Sequence, residues 1–166
     1  APLLLRDQLL ELFTSSQVSE PEYYGQCPGQ EATFTKLIYS LVFLVAHCHG
    51  RKQYPGEGWG EQDCQFTDTD LEVSLQHLAI LMRNHDGVNF PALFFLLREC
   101  NLLQRITDPQ DRRLLSLVLS RVCHPSLLTV NRYRLSASPD YFVPNKTLYT
   151  DYVAFIKELP GLEDHE

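Results

Sequence analysis

Apolar residues recur along this chain at helical spacing, in segments separated by clusters of proline, glycine and serine. Leu5, Leu9 and Leu12 share one side of residues 3–13, with Arg6, Gln8 and Glu11 between them. Over residues 32–48, Phe34, Leu37, Ile38, Leu41, Val45 and Cys48 keep the same spacing, and Val42, Phe43 and Leu44 make the other faces apolar as well. A helix apolar nearly all round is buried on most sides, so this one is expected at the centre of the core. Its β-branched residues also suit a strand, but its length favours a helix. A third stripe runs through Leu71, Leu75, Leu78 and Met82, and a fourth through Phe90, Leu93, Phe94, Leu97 and Cys100. A fifth holds Leu114, Leu115, Val118 and Val122. The last carries Leu148, Tyr152, Phe155, Ile156 and Leu159.

Punctuation supports these segments. Thr69-Asp70-Leu71-Glu72 has the form of a capping box, in which Thr accepts from the Glu backbone N–H and the Glu side chain reaches back. Asn89 with Pro91, and Asp108-Pro109 with Asp111, mark two further starts. Asp86-Gly87, His124-Pro125 and Pro160-Gly161 mark stops. The connection between the third and fourth stripes is so short that the two helices are expected to pack as a hairpin. Asn145 opens the glycosylation-like triplet Asn145-Lys146-Thr147, but it stands where the last helix is expected to begin, and capping explains it. Residues 14–28 read as a break, and residues 126–144 as a short helix followed by an extended stretch around Tyr141-Phe142-Val143. The long loop 50–67, with Trp59 between Gly58 and Gly60, reads as a binding loop or a cover for the core.

The expected fold is therefore all-α: about six helices in one domain over residues 1–166. A closed bundle and a HEAT- or armadillo-like stack both satisfy the pattern, since no fixed-period repeat of about 40–47 residues appears. The chain starts at Ala1-Pro2 without an initiator Met, which suggests processing or excision from a larger protein. Leu3-Leu4-Leu5 is too short for the apolar region of a signal peptide. The acidic tail 162–166 is expected to fray.

Composition narrows the function classes. With 44% hydrophobic and 21% charged residues the chain is expected to be globular. A net charge of -7 disfavours nucleic acid and anionic membranes as general partners. The longest apolar block, residues 41–46, falls far short of the ~20 residues needed to cross a bilayer. A local concentration of cations stands against the overall charge: Arg98, Arg105, Arg112, Arg113, Arg121, Arg132 and Arg134. Five irregularly spaced cysteines do not suit a disulfide framework and suggest a reduced, intracellular protein of the cytoplasm or nucleus.

Candidate chemistry is sparse. His47-Cys48-His49, with Cys27 and Cys64 in flanking loops, is the densest set of metal-ligand types. It lacks the paired spacing of a zinc site, and neighbours on a helix point about 100° apart. Cys48 and Cys100 lie on apolar faces, where burial as inert thiols is the simpler account. Asn84-His85-Asp86-Gly87 fails as a calcium loop, because Met82 and Leu93 fall where carboxylates are required. No nucleophile elbow, phosphate loop or HExxH pattern occurs.

The expectation is thus a non-enzymatic scaffold or adaptor domain without metal or cofactor. Arg112, Arg113, Arg132, Tyr133, Arg134 and Trp59 would form its contact surface for an acidic or peptide segment of another protein. Two alternatives accompany it: a metal or thiol centre at His47, Cys48, His49 and Cys64, and an anion or nucleic-acid contact through the arginine-rich stretch.

Overall fold

The structure, a computed structural model, describes residues 5–15, 17–52, 68–84, 86–98, 109–136 and 140–160. Its first helix, α1 (Leu5–Ser15), buries Leu9 and Leu12 of the predicted stripe and also Phe13, and leaves Leu5 half-buried. Residues 17–25 are more ordered than a simple break. Two 3-10 turns, Gln17–Ser19 and Pro21–Gly25, bury Val18 and Tyr24, and the Tyr24 hydroxyl donates to the Val18 carbonyl at 2.8 Å.

The central helix is α2 (Glu31–Lys52). Every residue from Leu37 to Ala46 is buried, consistent with its all-round apolar surface. It does not stop near Gly50 as the sequence suggested. One glycine costs a helix interior only about 1 kcal/mol, which neighbouring turns absorb. Helix α3 (Asp68–Asn84) buries Leu71, Leu75, Leu78 and Met82. It begins one residue before Thr69, so Thr69 lies inside the first turn rather than at a capping-box N-cap. Helix α4 (Phe90–Phe95) packs on α3 and is capped as expected: the Asn89 side chain accepts from Ala92 N at 3.1 Å.

Helix α5 (Pro109–Val122) follows, then α6 (Ser126–Thr129) and α7 (Tyr149–Lys157). Helix α7 starts four residues beyond Asn145. Its N-cap position is Leu148, with no side-chain cap, so the capping role expected of Asn145 is not realised. Between α6 and α7 the extended stretch forms a single antiparallel bridge, Arg134 to Phe142. It is closed by Leu135 N to Tyr141 O at 2.8 Å and Val143 N to Tyr133 O at 2.9 Å.

The described residues are all-α, with α2 touching α1, α3, α5 and α6. Helix α1 also packs on α7, which joins the two ends of the chain. In an open stack each unit meets only its neighbours in sequence, so this is a closed bundle. Aromatic rings tie the closure: Phe13 stacks on Tyr152 at 6.4 Å, and Tyr39 meets Tyr152 at 5.4 Å. The Tyr149 hydroxyl donates to Phe13 O at 2.8 Å, and Arg6 donates to Leu159 O at 3.3 Å. Among the described residues no helix is long and apolar enough to cross a membrane.

Candidate functional site: the surface around α5, α6 and the 134–142 bridge

The predicted contact residues fall in two places. Arg112, half-buried, and Arg113, exposed, sit near the start of α5. Tyr133 sits at the other end of that helix: its hydroxyl donates to Arg121 O at 2.7 Å and its ring stacks on His124 at 6.4 Å. Nine residues separate Arg112 from Arg121, about 13 Å of helix axis. Arg132 and Arg134 flank Tyr133, both exposed. Trp59 lies outside the described residues.

Local geometry fixes this corner. Pro125 supplies no side-chain cap to α6, and the His124 ring replaces it, Nδ1 accepting from Ser126 N at 3.1 Å. Arg132 has a φ of 54°, the left-handed region that side chains with a Cβ rarely occupy. Its guanidinium lies over the Phe142 ring, 4.9 Å from the centroid, and Phe142 packs edge-on against Phe155 at 5.1 Å.

Two cavities open here. One of about 470 Å³ is bounded by His47, Leu117, Arg121, His124, Tyr133 and Leu135. Several of its polar groups are already engaged. Ser120 donates to Leu117 O at 2.8 Å, Tyr133 to Arg121 O, and the His47 ring stacks on Phe43 at 6.0 Å. The other, about 360 Å³, lies beside α6 and is more polar; Lys36, Thr129, Asn131, Arg132 and Asn145 contribute to it. The sequence reading passed over Lys36, although it is the only charged residue between Glu31 and His47 in the central apolar helix.

The residues of the proposed metal or thiol centre fall only partly within the described residues. Because α2 runs on through Gly50, His47, Cys48 and His49 are consecutive positions on one helix and diverge by about 100° each. The side chains of Cys48 and His49, and all of Cys64, lie outside the described residues. Among the described residues no three His, Cys, Asp or Glu side chains group as metal ligands. Burial raises the Cys27 thiol and pushes Cys123 up to about 12, which opposes the thiolate a nucleophile needs.

An all-α bundle with a basic, aromatic corner is what the residues define. The chain belongs to the dynein heavy chain AAA lid domain family, whose model matches residues 34–166. It is similar to dynein axonemal heavy chain 12 of Homo sapiens, at 35% identity, and of Rattus norvegicus, at 34%, each over 99% of this chain. It is also similar to the dynein-1-beta heavy chain of the flagellar inner arm I1 complex of Chlamydomonas reinhardtii, at 31% identity over 96% of this chain. The match spans 5% of the length of the first two and 3% of the third.

This membership corrects the functional expectation. The chain belongs to a lid-domain family of dynein heavy chains, which overturns the expectation of a non-enzymatic scaffold or adaptor domain. The same finding replaces the metal or thiol centre, and nucleic-acid or anion contact, as the chain's function.

Proposed function

We propose that this chain is a helical lid module of an axonemal dynein heavy chain and works as a rigid piece of that motor. The observation that carries the reading is the family match over residues 34–166. In this reading ATP is bound and split elsewhere in the heavy chain, and the single helical domain acts by packing against other modules. Large apolar side chains available for such packing include Leu117 and Leu148, each 62% exposed, and Phe95 at 56%. The whole protein would work in the axoneme of cilia or flagella, with microtubules and other dynein subunits as protein partners.

The test is made in the complete heavy chain. Leu117→Asp leaves the bundle interior intact, because the side chain points mainly to solvent. ATP turnover should fall while the helical circular-dichroism spectrum of the module is unchanged. Undiminished turnover after deletion of the whole module would sink the reading.

A second, finer proposal concerns the contact surface. Arg113, Arg132 and Arg134 have no ion-pair partner among the described residues, so their charge is available to an acidic segment of a neighbouring module. Arg112 stands beside Arg113 near the start of α5, and Tyr133 lies between Arg132 and Arg134 at the other end of that helix. Charge reversal at Arg113 and Arg134 should weaken that association with little change in the thermal midpoint.

A further inference from the structure

The cavity beside α6 carries chemistry of which the lid reading uses only Arg132. Lys36 reaches it from α2, Thr129, Asn131 and Arg132 from the end of α6, and Asn145 from the segment before α7. Two of these are cations, and among the described residues no Asp or Glu lines the cavity. Neither cation has a carboxylate partner among the described residues.

Arg132 is held in place by its surroundings. Its backbone sits at φ 54°, and its guanidinium stacks 4.9 Å above Phe142. Stacking uses the flat face of the guanidinium and leaves its edge N–H donors for a ligand. The amides of Asn131 and Asn145 and the hydroxyl of Thr129 line the same cavity and can serve as neutral donors. Convergent donors match the tetrahedral oxygens of a phosphoryl group, whereas a planar carboxylate needs one fork. Two cations also balance the roughly -1.5 to -2 charge that a phosphate monoester carries near neutral pH. A volume of about 360 Å³ exceeds the phosphoryl group alone and leaves room for the carbon it esterifies.

We propose that this cavity binds a phosphate monoester, with the phosphoryl group between Lys36 and Arg132. The arginine run takes no part as a run: Arg112, Arg113 and Arg134 lie outside the cavity. The proposal stands independently of the lid reading.

The test follows backbone amide shifts of the 166-residue chain by NMR at constant ionic strength. The probes are inorganic phosphate, a capped phosphoserine peptide and adenosine monophosphate, with acetate as the planar control. Saturable shifts are expected at Lys36, Asn131, Arg132 and Asn145, and none with acetate at matched concentration. Lys36→Gln and Arg132→Gly should each weaken binding roughly tenfold or more, as expected for loss of a charged hydrogen-bond partner. Glycine accepts the left-handed backbone at 132, so this variant keeps its fold. Preference for the peptide assigns the ester to a phosphorylated protein segment, and preference for the nucleotide to a small molecule; either supports the site. No saturable shift with any phosphate probe, an equal response to acetate, or unchanged affinity in both variants would overturn it.

Discussion

Tyr39 offers a sharp test of how this core is held together. Its ring is fully buried among Phe13 at 5.9 Å, Tyr152 at 5.4 Å and Phe155 at 6.0 Å. Its hydroxyl is buried too and has no hydrogen-bond partner among the described residues. Burial pushes the phenol up, so the group stays protonated at neutral pH. An unsatisfied buried polar group costs about 1–3 kcal/mol, while the ring contributes apolar burial whether or not it carries oxygen. Tyr39→Phe removes the oxygen and keeps the ring. It should therefore stabilise the domain by about 1 kcal/mol, raising the thermal midpoint by about 2–4 °C for a protein of this size. Tyr24→Phe is the control of opposite sign. That hydroxyl donates to Val18 O at 2.8 Å, so its loss should cost about 1 kcal/mol. Urea and thermal unfolding of the two variants decide the matter. If Tyr39→Phe destabilises the protein as much as Tyr24→Phe does, the hydroxyl is satisfied, for example by a buried water, and the reasoning is refuted.

Leu41→Ala should cost about 2–5 kcal/mol, since Leu41 is 2% exposed on the central helix; a urea midpoint within error of the parent would contradict that. Phe94→Ala should cost less, because Phe94 is only half-buried and Arg98 lies over its ring at 5.3 Å. Asn89→Ala removes the α4 cap and should lower stability by about 1 kcal/mol, with Asn89→Ser recovering most of it. Alkaline pH should destabilise the fold. Burial raises Cys123 from 9.0 to about 12 and Tyr23 from 10.0 to about 12, so the unfolded chain loses these protons first. Their contribution is complete below pH 9 and is lost as pH climbs from 9 towards 12, and a flat thermal midpoint across that interval would argue against it.

Much of the fold was legible because helices announce themselves by the spacing of apolar residues. The faces of α1, α2 and α3 match their sequence stripes, and the Asn89 cap forms as its residue type predicts. Errors gathered at ends, where local signals compete with packing. Gly50 is carried inside α2 by the turns around it. Asn145 has the right chemistry for a cap, but α7 begins at Tyr149. The 3-10 turns before α2 were hidden for another reason: what orders them is Tyr24 reaching back to Val18, which no periodicity reports.

Sites were harder to see, for a geometric reason. The sequence grouped arginines that lie near one another along the chain, yet Arg112 sits near the start of α5 while Arg132 lies beyond α6 over the Phe142 ring. The cavity beside α6 does the reverse. It joins Lys36 to Arg132 and Asn145, residues far apart in sequence that only the packing of α6 on α2 brings together. The relationship to dynein heavy chains leaves still less local trace. A phosphate loop would be readable because it needs particular residues at fixed intervals to meet a ligand. In the proposed reading the lid presents a rigid apolar and basic surface, which needs only a well-packed bundle, and many sequences provide one. Its membership is therefore carried by likeness along the whole chain rather than by any one constellation. Substitutions at outward positions such as Leu117 should for that reason affect the assembled motor more than the isolated domain.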